Sequence, residues 1–525
     1  MIQKLRCGTC NKPVEVIAEN IISGTRRQMY KCGHVEAVKQ ISGADFDAYI
    51  SEDGHKPYKF QIDSALFGIE ANGRVLFAHE MGLGKTVIAS MMLWAHPKEM
   101  LRAVVFCKAG LKEQWRRMIS NWNGESWGVQ IVDSEKDALL PGAVVFIVSF
   151  DTLWRFKDIP NFMERIKAKT VVLDEVQHLK NRGAKRTQGI QLACRQVPYI
   201  IALSGTPIAN NSEEYFTILN ILYPKRFSVH SDFVYNYVEQ NWNGYNYSYG
   251  GLKSIDRFEN DTKDFILRFT RKEVLPDLPD IFRDFRFSEL GDEVNAAYQT
   301  LMRDFQQYYY YGSAGLTAFQ KAQGIMAYLA RMRHLTGVAK IEPCVQYLSD
   351  FIESTDRKIV VFTHHKDVAE QLHTFLKEEQ QKEPIKWGGE ILRMPSDPAK
   401  RDDMIDKFRD SDSRILLVSE LADCEGKNLQ FCADAVMLER QWTPIKEEQA
   451  EARFPRPGQK ANAINIVYMI AVGTVDEYLT RIGERKRSYV ASAVDHKAVQ
   501  WDEAGIVKEL AEVLASTGGK GWSHV

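Results

Sequence analysis

A disulfide framework, a membrane-spanning segment and a strong overall charge are all missing from this sequence. Eight cysteines in 525 residues, most of them scattered singly, do not make the dense cross-linking that staples small secreted domains. Apolar runs such as 144–150 and 461–472 fall short of the ~20 residues a bilayer-crossing helix needs. The first residues carry no apolar leader core. The expected location is therefore intracellular, and cytoplasmic for a bacterial or viral host. A formal net charge of -1 neither supports nor excludes nucleic acid as a partner, because a local basic groove can sit inside a neutral average.

What is present is the balance of a globular chain, with 45% hydrophobic and 26% charged residues and a length that suggests two or three domains. Short runs rich in Val and Ile at 103–106, 144–149, 171–173 and 199–203 alternate with helical periodicity. The same alternation returns at 358–363, 414–419, 435–438 and 464–469. Such a pattern predicts an α/β protein with two doubly wound parallel-sheet lobes, at 46–224 and 346–480. Between them, 225–345 reads as a mostly helical insertion that carries an aromatic and Asn/Gly-rich run at 235–251. Residues 1–45 form a zinc-ribbon-like segment, and 481–525 a helical tail.

The run His79-Glu80-Met81-Gly82-Leu83-Gly84-Lys85-Thr86 follows a strand candidate and precedes a helix candidate. Glycines there let the backbone curl so that amide groups face an anion. The next helix start adds positive potential, Lys85 reaches terminal phosphates and Thr86 can ligate magnesium. The strict phosphate-loop spelling would place glycine at His79, so an ordinary strand-turn-helix is the competing reading. A second element, Val171-Val172-Leu173-Asp174-Glu175-Val176-Gln177-His178, puts two acids directly after a buried strand. Asp174 is suited to hold magnesium and Glu175 to orient and deprotonate water, the alternative being a capped strand end. The two elements at the ends of parallel strands reinforce each other.

With these residues in view, the chain resembles the Swi/Snf ATPases of helicase superfamily two. HEMGLGKT, DEVQH and Leu203-Ser204-Gly205-Thr206-Pro207 are similar to that family's motifs one, two and three. The resemblance implies two RecA-like lobes, ATP and magnesium as cofactors, and double-stranded DNA, including forked or branched DNA, as partner of a monomeric translocase. Gln61, in Pro57-Tyr58-Lys59-Phe60-Gln61, would read adenine, while Met81, Gly82, Leu83, Gly84, Lys85 and Thr86 would cradle ATP. Ser204 and Thr206 would couple hydrolysis to movement. Lys108 and Trp115 of motif Ia, with Ser149, Thr363 and Asn428, would lie on the DNA side. Gln449-Ala450-Glu451-Ala452-Arg453-Phe454-Pro455-Arg456 resembles motif six, so Arg453 and Arg456, three apart, are expected on one helix face as arginine fingers. Pro455 and Pro457 count against a helix reaching Arg456. Motif five departs most: Asp423-Cys424-Glu425-Gly426-Lys427-Asn428-Leu429 keeps Gly426 for the nucleotide but sets acids where phosphate contact is expected. Phe362-Thr363-His364-His365 is similar to the branch that contains annealing helicases.

Cys7 and Cys10 form a CxxC pair, and Cys32 with His34 could complete a structural zinc site; free thiols beside a surface histidine are the alternative. The tyrosines at 308–311 suit either base stacking or packing. Two other functions remain open at this point: a strand-separating DNA or RNA helicase, and a catalytically weak nucleic-acid-binding adaptor.

Overall fold

The computed structural model describes residues 16–22, 25–30, 35–39 and 42–517, apart from 125, 206–211, 243–246, 313–314, 398–399, 420–427, 443, 482–483 and 485–502. All four proposed zinc ligands, Cys7, Cys10, Cys32 and His34, lie outside the described residues. Around them the described backbone is an antiparallel three-stranded sheet, Val16–Ile22, Thr25–Tyr30 and Val35–Lys39.

The first lobe is built on a seven-stranded parallel sheet. Its order is Ile266–Leu267, Arg74–Phe77, Tyr199–Leu203, Thr170–Leu173, Ala103–Cys107, Ala143–Ser149, Gly128–Val132. Helices cover both faces of such a sheet, so its strands read as continuous apolar runs instead of alternating ones. Val104, Val105, Phe106, Val171, Val172 and Leu173 are fully buried accordingly.

The second lobe has six parallel strands in the order Asp280–Ser288, Ala463–Ala471, Asp434–Met437, Ile359–Phe362, Ile415–Val418, Leu392–Arg393. Successive strand residues point to opposite faces, and two cores result. Val360, Phe362, Leu416 and Val418 enter one, while Ile359, Val361, Ile415 and Leu417 enter the other.

The region between the lobes is less separate than its periodicity suggests. Helices Asp292–Gln307 and Ala318–Ala339 form their own core, joined by the C-terminal helix Glu503–Thr517 through Leu510, Ala511 and Leu514. Yet Ile266–Leu267 completes the first sheet, and Asp280–Ser288 forms an edge of the second. A two-residue strand has no periodicity to detect, which is why the helical reading of 225–345 missed it. The aromatic run folds as a hairpin, Val238–Trp242 against Tyr247–Leu252. Among the described residues no helix is long and apolar enough to cross a membrane.

Candidate nucleotide site between the lobes

Three neighbouring strands of the first sheet end at one place. Phe77 O accepts from Ser204 N at 3.0 Å and Phe106 O from Asp174 N at 2.9 Å, so the phosphate loop, Ser204 and the acidic pair leave the sheet at one level. Carboxyl ends of parallel strands are where open α/β sheets bind ligands. Gly82 (φ 87°) and Gly84 (φ 68°) supply the left-handed backbone of the loop. Gly84 then caps helix Lys85–Ala95, which places Lys85 and Thr86 in its first turn. Lys85 Nζ donates to the carbonyls of His79 and Glu80, at 3.0 and 3.2 Å. Burial disfavours its charged form, and only the Glu175 and Asp174 carboxylates counter that.

His79, standing where the loop's spelling expects glycine, is fully buried. Its Nδ1 accepts from Phe269 N at 3.1 Å, so Nε2 carries the proton shared with Ser64 Oγ at 2.9 Å. Ser64 Oγ in turn donates to Phe60 O at 2.6 Å. Burial, with Lys85 and Arg268 nearby, pushes the imidazole down to about 3, so it is a neutral structural bracket. Gln61 works similarly, taking Tyr58 N at 2.9 Å and giving its amide to Leu83 O at 3.1 Å. Both ends of the side chain expected to read adenine thus hold backbone in this conformation. Met81 is half-buried and Leu83 buried.

Asp174 is buried, and the indole Nε1 of Trp115 donates to its Oδ2 at 2.8 Å. Burial and the adjacent Glu175 carboxylate raise its pKa above the usual carboxylate range. Glu175 has φ 52°, a left-handed conformation costly for a residue with a Cβ. Gln177 Nε2 grips its carboxylate at 2.5 Å, and Ser204 Oγ donates to Gln177 Oε1 at 2.7 Å. Ser204 is therefore wired to Glu175 through Gln177, a relay no spacing argument could reveal. Its neighbour Gly205 packs so closely that a Cβ there would collide with Met81 and lie 3.6 Å from Lys85 Nζ. Thr206 lies outside the described residues.

The second lobe faces this loop. A Cβ at Gly82 would lie 3.7 Å from Ala452 O and 3.8 Å from Arg456 Cγ. Helix Pro444–Glu451 stops before the arginines, so Arg453 and Arg456 project from a turn, not from one helix face as expected. The prolines at 455 and 457 account for that ending. Arg456 Nε donates to Ala452 O at 3.1 Å, and its Nη1 donates to Asn428 Oδ1. Burial, Arg453 and Arg271 all disfavour the Arg456 cation. The positive charges of Arg453 and Arg456 are likewise felt at Lys85. Mutually repelling cations gathered at a phosphate-type loop suit a polyanion.

The residues assigned to the DNA side divide. Lys108 sits half-buried at the carboxyl end of its strand, and Asn428 is exposed. Trp115, Ser149 and Thr363 are buried, at 3%, 2% and 0% exposure, which corrects the expectation of direct DNA contact by their side chains in this conformation. Ser149 Oγ caps the following helical turn from 3.0 Å, and Thr363 Oγ1 donates to Val418 O. Trp115 shares the inward face of helix Lys112–Asn123 with Ile119, four residues on, a signal the sequence held. Gly426 lies outside the described residues.

Fold and site together define a two-lobed nucleotide hydrolase of the helicase type. Comparison with known proteins narrows the class: the model of the SNF2-related domain matches residues 48–337, and that of the helicase conserved C-terminal domain matches 339–458. The chain belongs to the SNF2-related family and carries its DNA-dependent ATPase core. It is 24% identical to the human DNA annealing helicase and endonuclease ZRANB3, over 88% of this chain and 42% of that protein. It is 27% identical to the Xenopus laevis SWI/SNF-related matrix-associated actin-dependent regulator of chromatin subfamily A-like protein 1, over 83% of this chain and 44% of that one. The chain thus spans less than half the length of these curated relatives. The Hef helicase domain of Pyrococcus furiosus shares the fold, with a TM-score of 0.50 and 13% identity, over 82% of this chain and 98% of that domain.

Proposed function

We propose that the chain is an ATP-driven translocase on double-stranded DNA that remodels forks, joints or protein–DNA complexes. The observation that carries this reading is the approach of Arg453 and Arg456 on one lobe to Lys85, Asp174 and Glu175 on the other: a Cβ at Gly82 would lie 3.8 Å from Arg456 Cγ, and the charges of both arginines act on Lys85. A site split between lobes ties the state of the nucleotide to their separation, and a cycle of closing and opening is what moves a track. In this reading Lys85 and Gly82–Gly84 bind the phosphates, Glu175 accepts the proton of the attacking water, and the arginines neutralise charge on the transferred group. Ser204, through Gln177, reports the position of Glu175 to the rest of the lobe. The likeness to a DNA annealing helicase and endonuclease supports DNA as the track.

A divalent cation fits the same site. Thr86 and Asp174 offer hard oxygen donors, and the buried Asp174 carboxylate, raised by Glu175 beside it, is a group that a magnesium ion would relieve. Bound there, the ion would neutralise phosphate charge.

The test measures phosphate release with duplex, single-stranded and forked DNA, then triplex displacement and displacement of a labelled strand. The expected result is stimulation by duplex or forked DNA and triplex displacement, with no strand released. Release of the strand would make the protein an unwinding helicase, and absence of turnover with every DNA would make it an adaptor.

A further inference from the structure

The polypeptide that joins the two lobes touches both halves of the nucleotide site through the same device. On the first lobe it runs alongside the phosphate-loop strand, where Leu76 N donates to Phe265 O, Ala78 N to Leu267 O and Glu80 N to Phe269 O, at 2.8–2.9 Å. Phe269 then stacks on His79, with ring centroids 5.2 Å apart. Glu80 closes the contact: Oε2 takes Arg271 N at 2.7 Å, and Oε1 takes Arg271 Nε at 2.7 Å. His79 and Glu80 are the two residues whose carbonyls hold Lys85.

Past Arg271 the chain crosses to the second sheet as strand Asp280–Ser288. There Arg283 grips Glu451 with Nε on Oε1 at 2.8 Å and Nη2 on Oε2 at 2.5 Å, and Tyr468 Oη donates to Oε1 at 2.5 Å. Glu451 is buried and is the last residue of the helix from whose end Arg453 and Arg456 project. Two arginine–glutamate contacts on one short connector, Glu80 bridging the backbone and the guanidinium of Arg271, and Arg283 forking onto both oxygens of Glu451, therefore fix the start of the phosphate loop and the turn that bears the arginine fingers. Forked guanidinium–carboxylate pairs define geometry as well as attraction, and a lysine does not reproduce them.

We infer that Arg271 and Arg283 are positioning residues for ATP hydrolysis, through which the connector sets the phosphate loop and the finger turn in one register. The inference rests on the reading that Lys85 and Arg453 serve one nucleotide. Arg271 acts through Glu80 on ground-state phosphate binding. Arg283 acts through Glu451 on groups that matter only as the phosphoryl group transfers. The two substitutions should therefore separate kinetically.

The experiment is steady-state phosphate release with duplex DNA for the full chain and for Arg271→Gln, Arg283→Gln and the double variant. Binding of a fluorescent ATP analogue and a thermal melt accompany each. Arg271→Gln should raise KM and the analogue's Kd about tenfold, and Arg283→Gln should lower kcat about tenfold with Kd unchanged. Because one connector carries both, the loss in kcat/KM of the double variant should fall short of the product of the single losses. Should Arg283→Gln fail to melt cooperatively, Arg283→Lys reads the same kcat effect with the charge kept. Wild-type kcat and KM in the single variants, or losses that multiply fully, would overturn the inference. No turnover by the wild-type chain with any DNA would instead overturn the reading on which it rests.

Discussion

The two lobes hold their halves of the nucleotide site by different physics. In the first lobe, Asp174 and Ser204 stand one residue beyond strands whose interiors are wholly apolar, and Lys85 opens the helix that follows the loop after a third, so burying the Val and Ile runs already places the reactive groups. The second lobe presents its arginines from a turn, and buried charge does the placing. Arg440 donates from Nε and Nη2 to Glu447, at 2.9 and 2.8 Å, and lies 4.5 Å from the Tyr468 ring. Lys340 pairs with Asp476 at 2.5 Å. Glu439 takes the backbone amides of His364 and His365, at 2.6 and 2.9 Å, which fixes the loop after strand Ile359–Phe362. Among the described residues, the ion pairs with both side chains at most 1% exposed, Arg440–Glu447 and Lys340–Asp476, belong to this half. A buried pair adds little net stability against an apolar one, but losing one partner strands a charge. The contrast teaches that a strand end tolerates change around it, whereas a charge-locked turn does not.

The sharpest way to break the contrast is to remove one reactive group from each lobe. Glu175→Gln should reduce DNA-stimulated phosphate release to background with the melt unchanged, and Arg453→Ala should slow turnover about a thousandfold; turnover surviving in Glu175→Gln would remove that residue from the chemistry. Next in size is Arg440→Met, which strands Glu447 and should cost about 3–5 kcal/mol of stability in a denaturant titration. A removal of equal size from the first lobe's surface, Arg116→Met at its exposed pair with Glu113, should cost at most about 1 kcal/mol. Comparable losses at both sites would erase the distinction between the lobes.

His79 sharpens the comparison through pH. Its folded value of about 3 lies below the ordinary 6.5, so between those values the unfolded chain binds a proton that the folded chain refuses. Its share of stability is intact above pH 6.5 and is lost as pH falls toward 3, at about 1.4 kcal/mol per pH unit. Chemical denaturation at pH 7 and pH 5.5 should show wild type losing about 1 kcal/mol more than His79→Gln; parallel losses would mean that burial does not hold the His79 imidazole neutral in the fold. The smallest effect belongs to Trp115→Phe. It keeps an aromatic ring in the buried site but removes the hydrogen bond to Asp174, and should raise the magnesium concentration for half-maximal turnover about tenfold. An unchanged magnesium requirement would reduce Trp115 to packing.

The two-lobed α/β architecture and the residues at its strand ends were legible in the order of the amino acids. A buried parallel strand must be an apolar run, and a phosphate loop must offer small residues and a lysine directly after one, so both leave local marks. The ending of the finger helix was also local, written in Pro455 and Pro457. Tertiary structure alone decided the rest. Trp115 is buried against Asp174 because its indole nitrogen meets a carboxylate 59 residues away in the chain. His79 replaces a glycine without harm because Ser64 and Phe269 N receive its ring. Arg271 and Arg283 meet Glu80 and Glu451 because Ile266–Leu267 and Asp280–Ser288 join different sheets. Each of these pairings links residues distant in the chain, and a hydrogen bond or ion pair between distant residues imposes no spacing on the sequence from which it could be read.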